Sequence, residues 1–101
     1  MKSYKIYQTE TRGYVFMPFD YAMEEGFSGK DYSLVYEGII EAETINEALE
    51  KLFIIHNRDD RPNGKGMRSL SVSDVVTLDG IPYYCDRWGW SEIPTDRWDM
   101  K

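Results

Sequence analysis

The sequence MRSLSVSDVVTLDGIPYYCDRWGW, residues 67–90, decides the fold that we predict for this chain. It contains two apolar segments, Val75–Leu78 and Ile81–Asp86, which are separated by Asp79-Gly80. An Asp-Gly pair between such segments is typical of the two-residue turn of a β-hairpin. Asp74 would share a face with apolar residues of the first strand, where an unpaired carboxylate is costly. We therefore predict a break near Ser73-Asp74, either a β-bulge or a tight polar turn.

The clearest helix signal lies before this hairpin. Thr44-Ile45-Asn46-Glu47 is a capping-box pattern, in which Thr44 bonds the amide of Glu47 and Glu47 bonds the amide of Thr44. An apolar stripe at helical spacing follows and ends at His56, which predicts a helix over Ile45–His56. This helix needs a partner surface, and a sheet is the obvious one.

Two earlier patterns predict further strands. Alternation of apolar and polar residues indicates strands over Tyr4–Gln8 and Ser33–Ile40. In the second of these strands we expect Leu34 and Tyr36 to share one face, with Val35 on the other.

The remaining segments complete the predicted domain. Tyr21–Glu25 can form one or two helical turns, with Asp20 as the N-cap and Gly26 as the stop. Thr11–Gly13 is a predicted turn, and Asp59–Gly66 is a predicted loop. We therefore predict a single small α+β domain over residues 1–101. Its mostly antiparallel sheet has about four strands packed against one main helix, and its tail, residues 94–101, frays.

The composition limits the classes of function. The net charge of −6 disfavours nonspecific binding to nucleic acid, because that affinity comes largely from Lys and Arg at phosphates. The single cysteine, Cys85, excludes an internal disulfide and fits a reducing cytoplasm. The first residues lack the apolar region of a signal peptide, and no apolar run is long enough to span a membrane. We expect a cytoplasmic protein with no membrane partner.

Charged residues are unevenly distributed along the chain. Between Asp20 and Glu50 there are nine acids against one base, Lys30. Ordinary solvated surfaces account for such a segment, and we favour that interpretation. The alternative is an acidic interaction surface that mimics nucleic acid. Four bases between Arg58 and Arg68 offer a weaker alternative, direct binding of nucleic acid through that loop.

Motifs for catalysis or metal binding are weak. One histidine and one cysteine cannot make a Cys/His zinc site, and no EF-hand spacing occurs. By residue type alone, Cys85, His56 and an acid could form a catalytic triad with the cysteine as the nucleophile. A cysteine in a strand more often packs as a small apolar residue, and His56 ends an apolar stripe. We therefore predict a protein that is not an enzyme, with no catalytic, metal-binding or cofactor-binding residues.

Two groups of residues in the opening stretch are candidates for an interaction surface. The first group is polar and comprises Arg68, Ser69, Ser71 and Asp74, and the second comprises Trp88 and Trp90. The polar members more often satisfy backbone groups at a turn or bulge, and we favour that structural interpretation. Trp is enriched at binding hot spots. Alternation would place both tryptophans on one strand face, and we expect at least one of them to close the core.

The chain, and this stretch in particular, resembles the YodL-like domain, a small family found in bacterial genomes, plasmids and integrated mobile elements. The similar segments are Phe16–Asp20, Tyr32–Gly38, Leu49–Phe53, Asn57, Arg68–Val76, Tyr83–Asp86 and Trp88–Trp90. The family often has an aromatic residue where this chain has His56, and Val where it has Cys85. The resemblance implies no assigned catalytic residues, and the family's genomic context implies mobile-element biology, including evasion of host defence.

These observations lead to one predicted function and two main alternatives, beside the weaker one of direct nucleic-acid binding through the Arg58–Arg68 loop. We predict a non-enzymatic protein-interaction module, linked to mobile elements, whose protein partner the sequence does not identify. The alternatives are an anti-defence inhibitor with an acidic face that mimics nucleic acid, and a Cys85-dependent enzyme. The tryptophan pair and an edge strand permit a homodimer without requiring one.

Overall fold

The computed structural model describes residues 1–9, 15–58 and 66–98. Its strands and α-helices are β1 (Lys2–Thr9), α1 (Phe19–Glu24), β2 (Tyr32–Ile40), α2 (Ile45–Ile55), β3 (Val75–Leu78), β4 (Ile81–Asp86) and β5 (Gly89–Glu92). The strands form one antiparallel sheet in the order β2-β1-β3-β4-β5. The predicted α+β class and antiparallel sheet are confirmed. The sheet has five strands instead of about four, because the chain after Trp88 pairs with β4 as an additional edge strand.

The β3–β4 hairpin has the predicted Asp-Gly turn. Asp79 and Gly80 both have positive φ, 49° and 90°, which is the type I′ conformation that matches the twist of paired strands. The Asp79 carboxylate accepts a hydrogen bond from the Ser3 amide at 2.9 Å, and the Asp79 amide donates to the Ser3 carbonyl at 2.8 Å. The turn is therefore held to the start of β1 as well as to its own strands.

Helix α2 covers one face of the sheet. The Thr44 hydroxyl accepts from the Glu47 amide at 3.1 Å, as the capping pattern predicts, whereas the Glu47 carboxylate accepts from the amide of Glu43 and not of Thr44. The helix ends at Ile55, and His56 is its C-cap. The core between α2 and the sheet, which we call the α2-side core, consists of Tyr4, Ile6, Ala48, Leu49, Leu52, Met67, Leu70, Val76, Leu78 and Tyr83.

The opposite face carries a second core that is rich in aromatic rings. This α1-side core consists of Tyr7, Ala22, Phe27, Tyr32, Val75, Tyr84 and Ile93. Pro18 is the N-cap of α1, so the prediction of Asp20 in that position is wrong, and Asp20 lies in the first turn. Gly26 follows the helix with a φ of 84°, which fits its predicted role as the stop.

The C-terminal segment packs on the α1-side core. A 3₁₀ turn spans Thr95–Arg97, and the Trp98 ring lies 5.1 Å from that of Tyr7 and 5.6 Å from that of Tyr32, between ring centroids. Residues 94–98 of the predicted tail thus lie against the domain, where Trp98 covers an aromatic cluster. Residues 99–101 lie outside the described residues, as do the predicted turn at Thr11–Gly13 and residues 59–65 of the predicted loop.

Strand β2 contains a β-bulge. Ile6 pairs with Tyr36 and Tyr7 with Leu34, so Val35 is an extra residue of β2 that lies between these two pairs. The extra residue resets the alternation of faces. Val35 and Tyr36 therefore both pack against the α2-side core, and the prediction that they lie on opposite faces is wrong.

Candidate functional site

The chain turns sharply just before β3, at the predicted break. The Asp74 amide donates to the Ser71 carbonyl at 3.0 Å, which closes a β-turn with Ser73 at its third position. Ser73 has a φ of 86° and is fully buried. The Ser73 amide donates to the Cys85 carbonyl at 2.9 Å, and the Cys85 amide donates to the Asp74 carbonyl at 2.8 Å. Two residues thus oppose one, so the break is a tight turn that runs into a bulge.

The Asp74 carboxylate is buried and accepts hydrogen bonds from three residues in two segments of the chain. It accepts from Arg68 Nη1 at 2.7 Å, from Gln8 Nε2 at 3.0 Å and from the Ser71 amide at 2.8 Å. Gln8 lies on β1, more than sixty residues away along the chain. Burial raises the pKa of Asp74, while Arg68, the Ser71 amide and Gln8 act to lower it.

Arg68 connects this buried carboxylate to the surface. Its Nη2 donates to the Thr9 carbonyl at 2.7 Å, and its own carbonyl accepts from Gln8 Nε2 at 3.0 Å. The guanidinium lies 5.2 Å from the centroid of the Phe16 ring, within cation–π range. Because each contact is to the protein itself, these distances support the structural interpretation of the polar group.

The turn also anchors the segment that precedes α1. The Ser73 hydroxyl accepts from the Phe16 amide at 2.9 Å, and the Tyr32 hydroxyl donates to the Ser73 carbonyl at 2.5 Å. The Ser71 hydroxyl donates to the Ser69 carbonyl at 3.0 Å. Ser71 is thus the first residue of the turn, and Ser69 bonds to it from the preceding segment.

Because Ser73 has a positive φ, we predict that glycine at this position gives a more stable protein than alanine, which is the reverse of their usual order. Ser73→Ala removes the acceptor for Phe16 and keeps the strained backbone, whereas Ser73→Gly removes the same acceptor and relieves the strain. We expect the glycine variant to be more stable by about 1 kcal/mol. Urea unfolding of both variants measures the difference. An alanine variant as stable as the glycine variant would contradict a strained turn.

The two tryptophans lie at the far end of the sheet, around the β4–β5 turn. Trp88 is in the turn itself and is 96% exposed. Trp90 is on β5, is partly buried and packs against the α2-side core. Gly89, directly after Trp88, has a φ of 112°, with which the chain turns back into β5. The prediction that both tryptophans share a strand face is wrong because the turn intervenes, while Trp90 does close the core.

Two grooves flank this turn, and together with Trp88 we call them the hairpin-tip surface. The first, of about 280 Å³, is on the α1 side and is lined by Pro18, Asp20, Asp86, Arg87, Trp88 and Trp90. The second, of about 160 Å³, is on the α2 side and is lined by Glu50, Phe53, Cys85, Asp86, Arg87, Gly89 and Trp90.

Asp86 forms hydrogen bonds that support the β4–β5 turn. Its carboxylate accepts from the Arg87 amide at 2.8 Å, from the Ser91 hydroxyl at 3.1 Å and from the Phe19 amide at 3.3 Å. The last of these bonds fixes the start of α1 to the end of β4. Trp88 is therefore exposed on a turn that side-chain hydrogen bonds support on two sides.

Cys85 lies inside the sheet. It is 3% exposed, and burial, with the charges of Asp74 and Asp86, raises the pKa of its thiol from 9.0 to about 12. A reactive cysteine needs the opposite shift. His56 is also buried, with 3.2 Å between its Nε2 and the Tyr4 hydroxyl.

The raised pKa of Cys85 predicts a loss of stability in alkaline solution. The unfolded thiol ionises near pH 9 and the native thiol near pH 12, so the unfolded chain releases this proton first. The stability contributed by the thiol therefore falls as pH rises through this window, by about 2 kcal/mol at pH 10.5. Urea unfolding at pH 7.5 and 10.5 should show a smaller loss for Cys85→Ala than for the wild type. Equal losses would contradict the shift.

The acidic residues do not gather on one face. Glu24 and Glu25 are at the end of α1, on one side of the sheet, whereas Glu47 and Glu50 are on α2, on the other side. Glu37 is on the edge strand β2.

Among the described residues, no group of three or more His, Cys, Asp and Glu side chains could hold a metal ion. In the same ranges, no helix is long and apolar enough to cross a membrane.

Comparison with known families agrees with the resemblance found in the sequence. The model of the YodL-like domain matches residues 1–95 of the 101-residue chain. The chain belongs to the YodL-like domain family. No curated protein and no solved structure matches it.

In this YodL-like domain the six candidate residues form two separate groups. Arg68, Ser69, Ser71 and Asp74 lie at the polar turn before β3, where only Asp74 is fully buried, and Trp88 and Trp90 belong to the hairpin-tip surface. Strand β4 separates the groups, because Cys85 bonds Asp74 on one side and pairs with Trp90 on the other. No pattern in the sequence indicated that Gln8 contributes to the first group or Pro18 to the second.

Proposed function

We propose that this YodL-like domain is a non-enzymatic protein-interaction module of the cytoplasm, associated with mobile genetic elements, that binds a protein partner through Trp88. One observation carries the proposal, namely the 96% exposure of Trp88 on a supported turn. An indole in that position contributes almost nothing to the core, whereas burial in a complex would remove about 150–250 Å² of surface from water.

The surroundings of Trp88 support a binding role. Phe53 is 40% exposed in the adjacent groove, and Met17, just before Pro18, is 37% exposed. Tryptophan is the residue type most often found at interface hot spots, where aromatic anchors on a rigid support lose little entropy on binding. The hairpin tip combines these properties in a few neighbouring residues.

Two larger grooves, of about 550 and 560 Å³, are found beside β2 and support the proposal less well. Charged side chains line both of them, with Lys5 and Glu37 in one and Asp31 and Arg68 in the other. Arg68 is already bound to Asp74. Neither groove presents an aromatic side chain as fully as the hairpin tip does.

The alternatives receive less support from the positions of their residues. An acidic face that mimics nucleic acid needs contiguous acids, and those of α1 and α2 are on opposite sides of the sheet. A cysteine nucleophile needs an accessible thiolate, and Cys85 is buried with a raised pKa. We therefore do not adopt either alternative.

The proposal is tested by affinity purification of the tagged full chain from its native host, followed by quantitative mass spectrometry. The wild type is compared with Trp88→Ser and with Ile39→Ser, which removes another exposed apolar side chain (66% exposed) on the opposite edge strand. We expect at least one protein to be enriched with the wild type and with Ile39→Ser, and to be lost by more than about tenfold with Trp88→Ser.

Circular dichroism and thermal unfolding of the three proteins provide the control for folding. The proposal fails if every protein captured by the wild type is captured equally by Trp88→Ser. It also fails if Ile39→Ser abolishes the same interactions, because the loss would then not be specific to the hairpin tip.

A further inference from the structure

We infer that the hairpin-tip surface takes a cationic peptide segment of a protein partner, with an aliphatic or aromatic side chain flanked by Lys or Arg. This inference rests on the proposed function and specifies the chemistry of the partner. It follows from three properties of the surface: the volumes of the two grooves, the apolar side chains that line each of them and the sign of the charges at their rims.

The grooves have the size of side chains and not of small-molecule ligands. Their volumes, about 280 and 160 Å³, are below the range of roughly 300–1,000 Å³ that is typical of ligand pockets. Trp90 lines both grooves, and Trp88 lies in the β4–β5 turn and lines the α1-side groove. A segment crossing the turn would place one side chain in each groove and bury the Trp88 ring beneath its backbone.

Apolar surface is present in both grooves. Pro18 and Trp88 contribute it on the α1 side, and Phe53 contributes it on the α2 side. These groups match an aliphatic or aromatic anchor, and they would bind it more strongly than a polar side chain because apolar surface leaves water on both partners.

The rim carries a net negative charge. Asp20 lies at the α1-side groove, Glu50 at the α2-side groove and Asp86 between them, against one cation, Arg87. Asp86 already accepts three hydrogen bonds from the domain, which leaves Asp20 and Glu50 as the carboxylates best placed to meet a partner. One such carboxylate on each side of the turn favours a segment with Lys or Arg on both sides of its anchor.

The same charges argue against other classes of partner. Nucleic acid and anionic lipid both present phosphates, which the carboxylates of the rim would repel. The net charge of −6 acts in the same direction over the whole chain. A cationic peptide is attracted at long range and meets apolar surface at short range.

The test is a selection of random twelve-residue peptides, displayed on phage, against the immobilised full-length chain. Peptides that also bind Trp88→Ser are removed by counter-selection. We expect the remaining sequences to be enriched in Lys or Arg on both sides of an aliphatic or aromatic residue. Synthetic copies of the enriched peptides are then measured by isothermal titration calorimetry at low and high salt.

Charge variants give the sharpest comparison. We expect Asp20→Asn and Glu50→Gln each to weaken binding of the selected peptide by about fivefold, with smaller effects at high salt. Arg87→Gln is expected to leave the affinity unchanged or to raise it by about twofold, because it removes the only cation among the described residues that line the two grooves. Glu37→Gln, an exposed acid on β2, is the matched control and should have no effect.

The possible results separate this inference from the proposed function. Neutral or acidic peptides that require Trp88 would overturn the inference and leave the hairpin tip as a binding surface. Failure to recover any Trp88-dependent peptide would overturn the inference as well, while a Trp88-dependent protein from the host would still support the proposed function. Unchanged affinity in both Asp20→Asn and Glu50→Gln would also overturn it.

Discussion

Replacing Arg68 with methionine is expected to lower the free energy of unfolding by about 3–5 kcal/mol. The change removes the guanidinium that lies 2.7 Å from a fully buried carboxylate, and methionine cannot replace its charge or its hydrogen bonds. Burial would then act on Asp74 with only Gln8 and the Ser71 amide to oppose it, so its pKa should rise further. Urea unfolding at pH 7 measures the loss.

Two further variants separate the ion pair from general effects of losing an arginine. Arg87→Met makes the same change at an exposed turn and should cost less than about 0.5 kcal/mol. Arg68→Met combined with Asp74→Asn should be more stable than Arg68→Met alone, because it no longer leaves a charge buried. A loss below about 1 kcal/mol for Arg68→Met would show that the carboxylate finds another partner.

Replacing Trp98 with alanine is expected to lower the free energy of unfolding by about 2–4 kcal/mol. Its ring contacts Tyr7, Phe27 and Tyr32, with centroids 5.1–6.3 Å apart, and covers part of the α1-side core. The loss would expose these rings to water and remove the aromatic contacts themselves. Thermal unfolding should show a decrease of at least several degrees.

Trp88→Ala is the matched control for Trp98→Ala. The residue type and the substitution are the same, but Trp88 is 96% exposed, so its loss should change stability by less than about 0.5 kcal/mol. The two tryptophans should thus show opposite profiles, with Trp98 required for stability and Trp88 for binding. Equal effects of the two substitutions on stability would contradict both assignments.

Local chemistry made much of this fold predictable from the sequence. The Asp79-Gly80 turn and the Thr44 cap depend on residues within a few positions of each other, and both are in the structure. The break at Ser73-Asp74 was predictable because a carboxylate cannot lie unpaired on an apolar face. The position of the turn was therefore indicated by the conflict between the apolar alternation of the strand and the cost of burying the Asp74 carboxylate.

Features that depend on distant residues were not predictable in the same way. Gln8 bonds Asp74 across the sheet, and nothing in either local segment indicates the other. Trp98 follows polar residues, and its docking depends on rings contributed by three earlier elements. Strand β5 was missed because the Trp-Gly-Trp segment begins with a turn residue and has too few positions to show alternation. The exposure of Trp88 follows from that turn.

The bulge at Val35 has a consequence for the behaviour of the protein at high concentration. Strand β2 is nine residues long and lies at the edge of the sheet, where unpaired backbone groups can recruit a strand from another molecule. A second chain can stay in register only up to the extra residue, which leaves Tyr36–Ile40 as the longest regular stretch. The irregularity thus interrupts the template on which fibrous or open-ended assemblies would grow.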